Sequence, residues 1–103
     1  MSQIQNQWDE VTHIESELKR YMMALGLDWH DEAAMIRLAA ECQAFGPLHS
    51  AAAYASHDPS QISKAKLFGL ASMMMRTMES AAHDNRDVHG GEAWKALGKH
   101  LYK

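Results

Sequence analysis

The chain has 103 residues, a formal net charge of −3, and 47% apolar and 22% charged residues. These values are typical of one globular domain, here residues 1–103, and exclude a disordered chain. They also differ from the strongly basic balance of a dedicated nucleic-acid-binding protein.

Cysteine use and the N-terminus favour a cytoplasmic protein without a membrane segment. Cys42 is the single cysteine, so no internal disulfide can form. The first fifteen residues, MSQIQNQWDEVTHIE, have neither the basic nor the apolar region of a signal peptide. The apolar runs are much shorter than the roughly 20 residues that span a bilayer.

The first predicted helix begins at a capping box, with Ser2 as N-cap and Gln5 three positions later. It ends before Gly26, a residue suited to the left-handed conformation. Glu15 is the polar member of its apolar seam, and a length of about 23 residues, near 35 Å, is expected. The apolar members recur at helical spacing: Ile4, Trp8, Val11, Leu18, Met22 and Leu25.

A broken pair of helices is predicted next. Asp28 is the expected N-cap of a helix that stops near Ala44, ahead of Gly46-Pro47. Its expected buried stripe is Trp29, Ala33, Ile36 and Ala40, with Met35, Leu38 and Cys42 beside it. Pro47 then opens a short helix, LHSAAAYAS, whose alanines would permit close approach by a neighbouring helix.

Asp58-Pro59 predicts the start of a second long helix, which runs to about His83. After Gly90-Gly91 a last short helix places Ala93, Trp94, Leu97 and Leu101 on its apolar side. The expected seam of the long helix is Leu67, Leu70, Met74, Thr77, Met78 and Ala81. Two long helices, a broken middle helix and a short C-terminal helix predict an all-α bundle of four to five helices.

Charge is unevenly divided between the two halves of the chain. Residues 1–58 contain nine acidic and three basic residues, whereas residues 59–103 contain four acidic and seven basic residues. This asymmetry favours docking of one half against the other, within one chain or between two.

The stretch AAHDNRDVHGG, residues 81–91, is the candidate metal site. Glu79, His83 and Asp87 are spaced four apart, and His89 could supply a fourth ligand. Asn85 and the two glycines instead favour a loop, and the spacing matches no zinc finger, HExxH or paired ExxH motif. We therefore expect no cofactor and keep a metal-binding helical protein as an alternative.

Catalytic motifs are absent from the sequence, and the chain is predicted not to be an enzyme. His-Asp occurs three times, as in some metal-dependent phosphohydrolases, but Asp31 and Asp58 are already explained by helix starts. No GxSxG, P-loop or GxGxxG sequence is present. Cys42 lies among alanines, where a buried thiol is inert.

Methionine and tryptophan mark the predicted interface. Three consecutive helical residues point about 100° apart, so Met73, Met74 and Met75 cannot all enter one narrow core. Flexible methionines favour adaptable binding surfaces, although burial on two sides within the same bundle would also accommodate them. The candidates for a partner or oligomer interface are Trp29, Met73, Met74, Met75 and Met78, whereas Trp8 and Trp94 are expected in the core.

A basic stripe on the last helix is the candidate nucleic-acid contact. Lys95, Lys99 and Lys103 recur at spacing four, opposite the apolar side. This is also the pattern of a solvated face, and the helix that opens at Pro47 carries no lysine or arginine for DNA. A nucleic-acid-binding regulator that uses the basic C-terminal half remains an alternative.

The sequence as a whole favours a small, soluble, non-enzymatic protein-interaction module. A regulator, adaptor or inhibitor such as bacteria, phages or plasmids encode fits this size and chemistry. We expect it to bind another protein, a second copy of itself included, as a homodimer.

The Met74→Asp variant should lose folding or dimerisation, because it places a charge on an apolar seam. The Lys99→Glu variant should retain both, since Lys99 lies on the polar side of its helix. Circular dichroism and sedimentation velocity measure the two properties. A Lys99→Glu chain with an altered oligomeric state would contradict the assignment of that side to solvent.

Overall fold

The computed structural model describes residues 3–83 and 90–101, with side chains from residue 9 onward in these ranges. Five α-helices and no strand occur in the described residues: α1 (Gln3–Ala24), α2 (Glu32–Ala44), α3 (Pro47–Ala55), α4 (Pro59–His83) and α5 (Glu92–Leu101). The predicted all-α class and the helix order are confirmed. None of the described helices has the length and apolar character that crossing a membrane requires.

Four of the five helices build the core, and each contributes four buried apolar side chains. The α3 helix, all of which is described, contributes none to this cluster. The members are Val11, Ile14, Leu18 and Met22 of α1, Ala34, Met35, Leu38 and Ala39 of α2, Leu67, Phe68, Ala71 and Met74 of α4, and Ala93, Trp94, Leu97 and Leu101 of α5. The hydrophobic core is therefore that of a four-helix bundle to which α3 is added outside.

The two long helices run antiparallel. Glu10, near the start of α1, lies beside Thr77 and Ser80 near the end of α4. Leu25, just after α1, lies beside Ser60 at the start of α4. This arrangement brings the two predicted seams together along their length.

Gly26 ends α1 as predicted, with a left-handed φ of 71°. The amide of Leu27 donates to the carbonyl of Met22 at 2.8 Å, and the amide of Gly26 donates to that of Met23 at 3.1 Å. These two bonds form a Schellman motif, in which glycine takes the conformation that a side chain disfavours.

The start of α2 differs from the prediction. Asp31, not Asp28, is the N-cap, and its carboxylate accepts a hydrogen bond from the amide of Ala34 at 3.2 Å. Asp28 instead accepts from the amide of His30 at 2.9 Å. Two aspartates three residues apart offer competing caps, and the nearer one to the helix takes that role.

The buried face of α2 also differs from the predicted one. Ala33 and Ala40 are exposed, and Ile36 is 49% exposed, so this stripe faces solvent. Met35 and Leu38 are buried instead. Apolar residues surround most of α2, so periodicity alone did not select its buried side.

Glu15 joins α1 to the start of α5. Its side chain is almost fully buried, with the residue 9% exposed. One carboxylate oxygen accepts from the amide of Ala93 and the other from the amide of Trp94, each at 3.0 Å. These are free amides at the positive end of α5, where a carboxylate is favoured. A Cβ on Gly91 would lie 2.5 Å from the Glu15 carboxyl carbon, so glycine leaves room for this contact.

Ion pairs connect the acidic first half to the basic second half. Glu41 of α2 lies 2.9 Å from the ammonium of Lys64, and Glu32 lies 3.2 Å from that of Lys99. The docking of the two halves that the charge asymmetry predicted thus occurs within one chain.

The Glu15→Ala variant should be less stable than the native chain by roughly 2–4 kcal/mol, because two buried amides lose their acceptor. Chemical denaturation measures this difference. Glu17→Ala is the matched control, since Glu17 lies on the same helix but, among the described residues, bonds only to exposed Arg20, and it should change stability little. Equal stabilities of the two variants would contradict the role assigned to Glu15.

Candidate functional site

The α3 helix is the most exposed apolar element that the structure describes. Ala53 is its one buried residue and packs toward α4. Leu48 is 86% exposed and Tyr54 is 47% exposed. At 100° per residue, Leu48, Ala51 and Ala55 lie on the side of α3 opposite Ala53. We call these three residues the α3 ridge.

The stretch of sequence that contains the ridge carries no formal charge. Residues 42–57 contain no Asp, Glu, Lys or Arg, and Glu41 and Asp58 bound this stretch. Depletion of charged residues is typical of the centre of a protein–protein interface. An ordinary solvated helix, by contrast, carries charged or polar residues on its outer side.

The ends of α3 are fixed by local hydrogen bonds. The ring Nδ1 of His49 accepts from the amide of Gly46 at 3.2 Å, with Pro47 at the first helical position. At the other end, the hydroxyl of Ser56 donates to the carbonyl of Ala53 at 2.6 Å. The ridge is therefore held in place by its own sequence as well as by α4.

A groove of about 480 Å³ runs beside the ridge, between α1 and α3. Its walls are His13, Glu17 and Tyr21 of α1 and Ser50 and Tyr54 of α3. We call it the α1/α3 groove. A channel between two helices that lie on a third is a common seat for an additional helix.

Residues of α4 form the floor of the groove. Gly69, Leu70 and Met73 line it, and Met73 is 40% exposed. A Cβ on Gly69 would meet no heavy atom within 4 Å, so the floor is open there. Open space above a helical glycine allows another backbone to approach closely.

Charges of both signs lie on the groove. Lys66 and Arg76 flank the floor, and neither forms an ion pair with any described residue. On the opposite wall Glu17 accepts from the guanidinium of Arg20 at 2.6 Å. This hydrogen bond holds the pKa of the Glu17 carboxyl below its ordinary value. The unpaired charges on the groove are thus basic.

The structure separates the four methionines that the sequence grouped as interface candidates. Met74 is fully buried in the four-helix core, so its assignment to a surface of this chain is corrected. Met75 and Met78 are half-buried against that core. Met73 alone of the four lines the groove, because it points away from the seam that buries Met74.

Trp29 lies apart from the groove. Its ring is half-buried against the core, with the ammonium of Lys19 5.5 Å from the ring centroid. The indole Nε1 is buried and has no hydrogen-bond partner among the described residues. Trp29 therefore belongs to the junction of α1 and α2 rather than to the α3 ridge.

The candidate metal ligands are only partly described. Glu79 and His83 are exposed in the last turns of α4, whereas Asp87 and His89 lie outside the described residues. Within residues 3–83 and 90–101, no group of three or more His, Cys, Asp or Glu side chains is placed to hold a metal ion.

The candidate nucleic-acid contacts on α5 do not form a free basic stripe as far as they are described. The ammonium of Lys99 lies 3.2 Å from Glu32, which also lies 3.6 Å from the buried ring of His100. Lys95 is exposed, and Lys103 lies outside the described residues.

Cys42 is half-buried and lines a small pocket of about 240 Å³ with Phe45 and Phe68. The two rings meet edge to face, with centroids 4.9 Å apart. Burial raises the pKa of the Cys42 thiol above its ordinary value. A raised pKa disfavours the thiolate, which is the reactive form.

Four residues of the ridge and the groove were not among the functional residues predicted from the sequence: Leu48, Tyr54, Gly69 and Arg76. The charge-free stretch from residue 42 to residue 57 is a signal for the first two, visible in the sequence alone. Gly69 and Arg76 carry no such signal, because their importance arises only when α1 and α3 are placed on either side of α4.

Comparison with models of protein families, with curated proteins and with solved structures finds no match to this chain. Its function is therefore inferred from its own residues and geometry.

Alkylation of Cys42 by iodoacetamide at pH 8 should be several-fold slower than alkylation of a cysteine placed at exposed Ala40 in a Cys42→Ser chain. The raised pKa and the burial both reduce the reactive thiolate. Mass spectrometry over time measures the two rates, and equal rates would contradict the burial of Cys42.

The pH dependence follows from the same shift. A thiol whose folded-state pKa exceeds its unfolded value stabilises the fold below the unfolded pKa, about 8.5. That contribution is lost as pH rises through the folded pKa. Denaturation curves at increasing pH should therefore show a larger loss of stability for the native chain than for Cys42→Ser.

Proposed function

We propose that this chain is a non-enzymatic protein-interaction module that binds protein partners through the α3 ridge, and that a second copy of the chain is its first partner. A regulator, adaptor or inhibitor would act in this way. A cytoplasmic location, which the single cysteine favours, is part of the proposal.

The observation that carries the proposal is the segregation of α3 from the core. The core cluster takes four side chains from each of the other helices and none from α3. Leu48 nevertheless stands 86% exposed on a helix without formal charge. Contiguous exposed apolar surface of this kind is typical of binding sites. Burial of one leucine side chain contributes about 1.5–3 kcal/mol.

A second copy can pack against the ridge because the ridge carries no formal charge. In a two-fold symmetric dimer the same patch of both subunits meets, so a patch with one sign of charge repels its copy. The ridge and the residues that flank it from 42 to 57 carry no formal charge. Its alanines also let two helices approach closely.

The rival functions predict different behaviour in solution. A nucleic-acid-binding regulator would bind DNA or RNA with an affinity that falls steeply with added salt. A metal-binding protein would carry bound metal that is lost when His83 and Asp87 are changed to alanine. The interaction module predicts neither result. Native mass spectrometry of the untagged chain, beside its denatured mass, reads subunit number and bound metal together.

The native chain should form a dimer in native mass spectrometry and sedimentation velocity, and Leu48→Glu should shift it to monomer. The added carboxylates would be desolvated in the interface, which weakens dimerisation on the order of 30-fold or more. Met23→Glu is the matched control, because Met23 is 68% exposed on the far side of α1 from the groove. It should leave the dimer intact.

A native chain that stays monomeric at every concentration would overturn self-association. A dimer that survives Leu48→Glu but dissociates with Met23→Glu would move the interface away from the α3 ridge. Circular dichroism of both variants shows that the comparison is made between folded chains.

A further inference from the structure

We infer that the α1/α3 groove is the seat for α3 of the second copy, so that each subunit of the dimer inserts its α3 ridge into the groove of the other. This inference rests on the proposed self-association and names the surface that receives the ridge.

The shape of the surface formed by the ridge and the groove is self-complementary. The ridge protrudes from α4, with Leu48 nearly fully exposed, and the groove lies directly beside it. A ridge next to a groove of similar length fits a copy of itself turned by a two-fold axis between them. The ridge of each subunit then enters the groove of the other, as a closed isologous dimer requires.

The dimensions of ridge and groove agree. The nine residues of α3 extend about 13 Å at 1.5 Å per residue. Lys66 and Arg76, which flank the floor, are ten residues apart on α4, or about 15 Å. The small side chain of Ala65 and the absent one of Gly69 leave the floor low enough for a helix to approach closely.

Charge complementarity favours the same occupant. The inserted helix is uncharged, and Asp58, three residues after its last residue, is acidic and forms no ion pair with a described residue. Glu41, which bounds the charge-free stretch on the other side, lies on α2 and is already paired with Lys64. The unpaired charges beside the groove, on Lys66 and Arg76, are basic. The insertion therefore brings apolar surface onto the floor and the Asp58 carboxylate toward the basic residues beside the groove.

The side chains of the groove suit this role. Met73 on the floor is flexible and adapts its shape to an inserted side chain. Tyr21 and Tyr54 on the opposite walls present apolar rings with a polar edge, a residue type enriched at interfaces. Leu48 and Ala51 of the partner copy supply matching apolar surface.

Filling the groove tests this arrangement. Gly69→Phe adds a Cβ that meets no neighbouring heavy atom within 4 Å, so the new side chain begins in open space. Phenylalanine also forms helices more readily than glycine. The phenyl ring occupies the space of the inserted α3. The dimer dissociation constant, measured by sedimentation velocity, should rise on the order of 30-fold or more, the scale of an interface hot spot.

Ala33→Phe is the matched control. Ala33 is exposed on α2 and does not line the groove, so the same ring there should leave the dimer unchanged. Thermal unfolding by circular dichroism should show that both variants fold.

The outcomes distinguish the inference from the proposed function. A native dimer that is lost with Gly69→Phe and kept with Ala33→Phe supports insertion into the groove. A native dimer that Leu48→Glu abolishes but Gly69→Phe retains overturns the groove as the seat while the ridge remains the interface. A native chain that is monomeric throughout overturns both.

A cross-linking experiment reaches the same decision without a bulky substitution. Two chains, both Cys42→Ser, carry one new cysteine each: Ala51→Cys on the ridge of one, and Met73→Cys on the floor of the other. One chain is labelled with nitrogen-15. Insertion predicts a mixed disulfide of intermediate mass under mild oxidation, and its absence from a mixture that still dimerises overturns the inference.

Discussion

The contact between the Glu15 carboxylate and the first amides of α5 joins two helices that lie far apart in the sequence. The carboxylate lies on α1, 78 residues before Ala93, and each of its oxygens accepts one amide at 3.0 Å. A buried carboxylate is tolerated only when its oxygens are satisfied, and the positive end of a helix satisfies them well. Because α5 supplies four of the core side chains, this contact helps to position the helix that completes the core. Gly91 supports the contact by leaving space beside the carboxyl carbon.

Completion of the core by four helices leaves the fifth free for another role. The α2 helix reaches α4 through the pair of Glu41 and Lys64 and through the contact of Phe45 with Phe68, so the chain can pass from one to the other without burying α3. The exposed apolar residues of α3 are therefore not required to close the core. This division separates the residues that maintain the fold from those of the α3 ridge and the groove, which we propose as the binding surface.

Local signals in the sequence predicted the ends of the helices well, but they predicted less well how the helices pack against one another. Gly26 and Asp58-Pro59 act within a few residues, so the ends that they mark agree with the structure. The buried face of α2 was predicted wrongly because Ile36 and Met35 both lie on plausible apolar stripes, and only packing against α5 decides between them. Glu15 was visible as a polar exception in a seam, but its partner lies too far along the chain for any spacing rule. The groove is likewise a product of tertiary placement, whereas the charge-free stretch that forms its ridge is plain in the sequence.

Because α3 has a single buried residue, Ala53, its local stability is expected to be lower than that of the four-helix core. A nine-residue helix is marginal on its own in water, and here its capping bonds at His49 and Ser56 are largely local. Its backbone can therefore open with a lower free energy than global unfolding requires, since α3 contributes no side chain to the core cluster. Amide hydrogens of α3 would then exchange with solvent ahead of those in α1 and α4. Any molecule that covers α3 raises this local stability toward that of the core, so binding is reported by the protection of this helix even where the global stability of the core hardly changes.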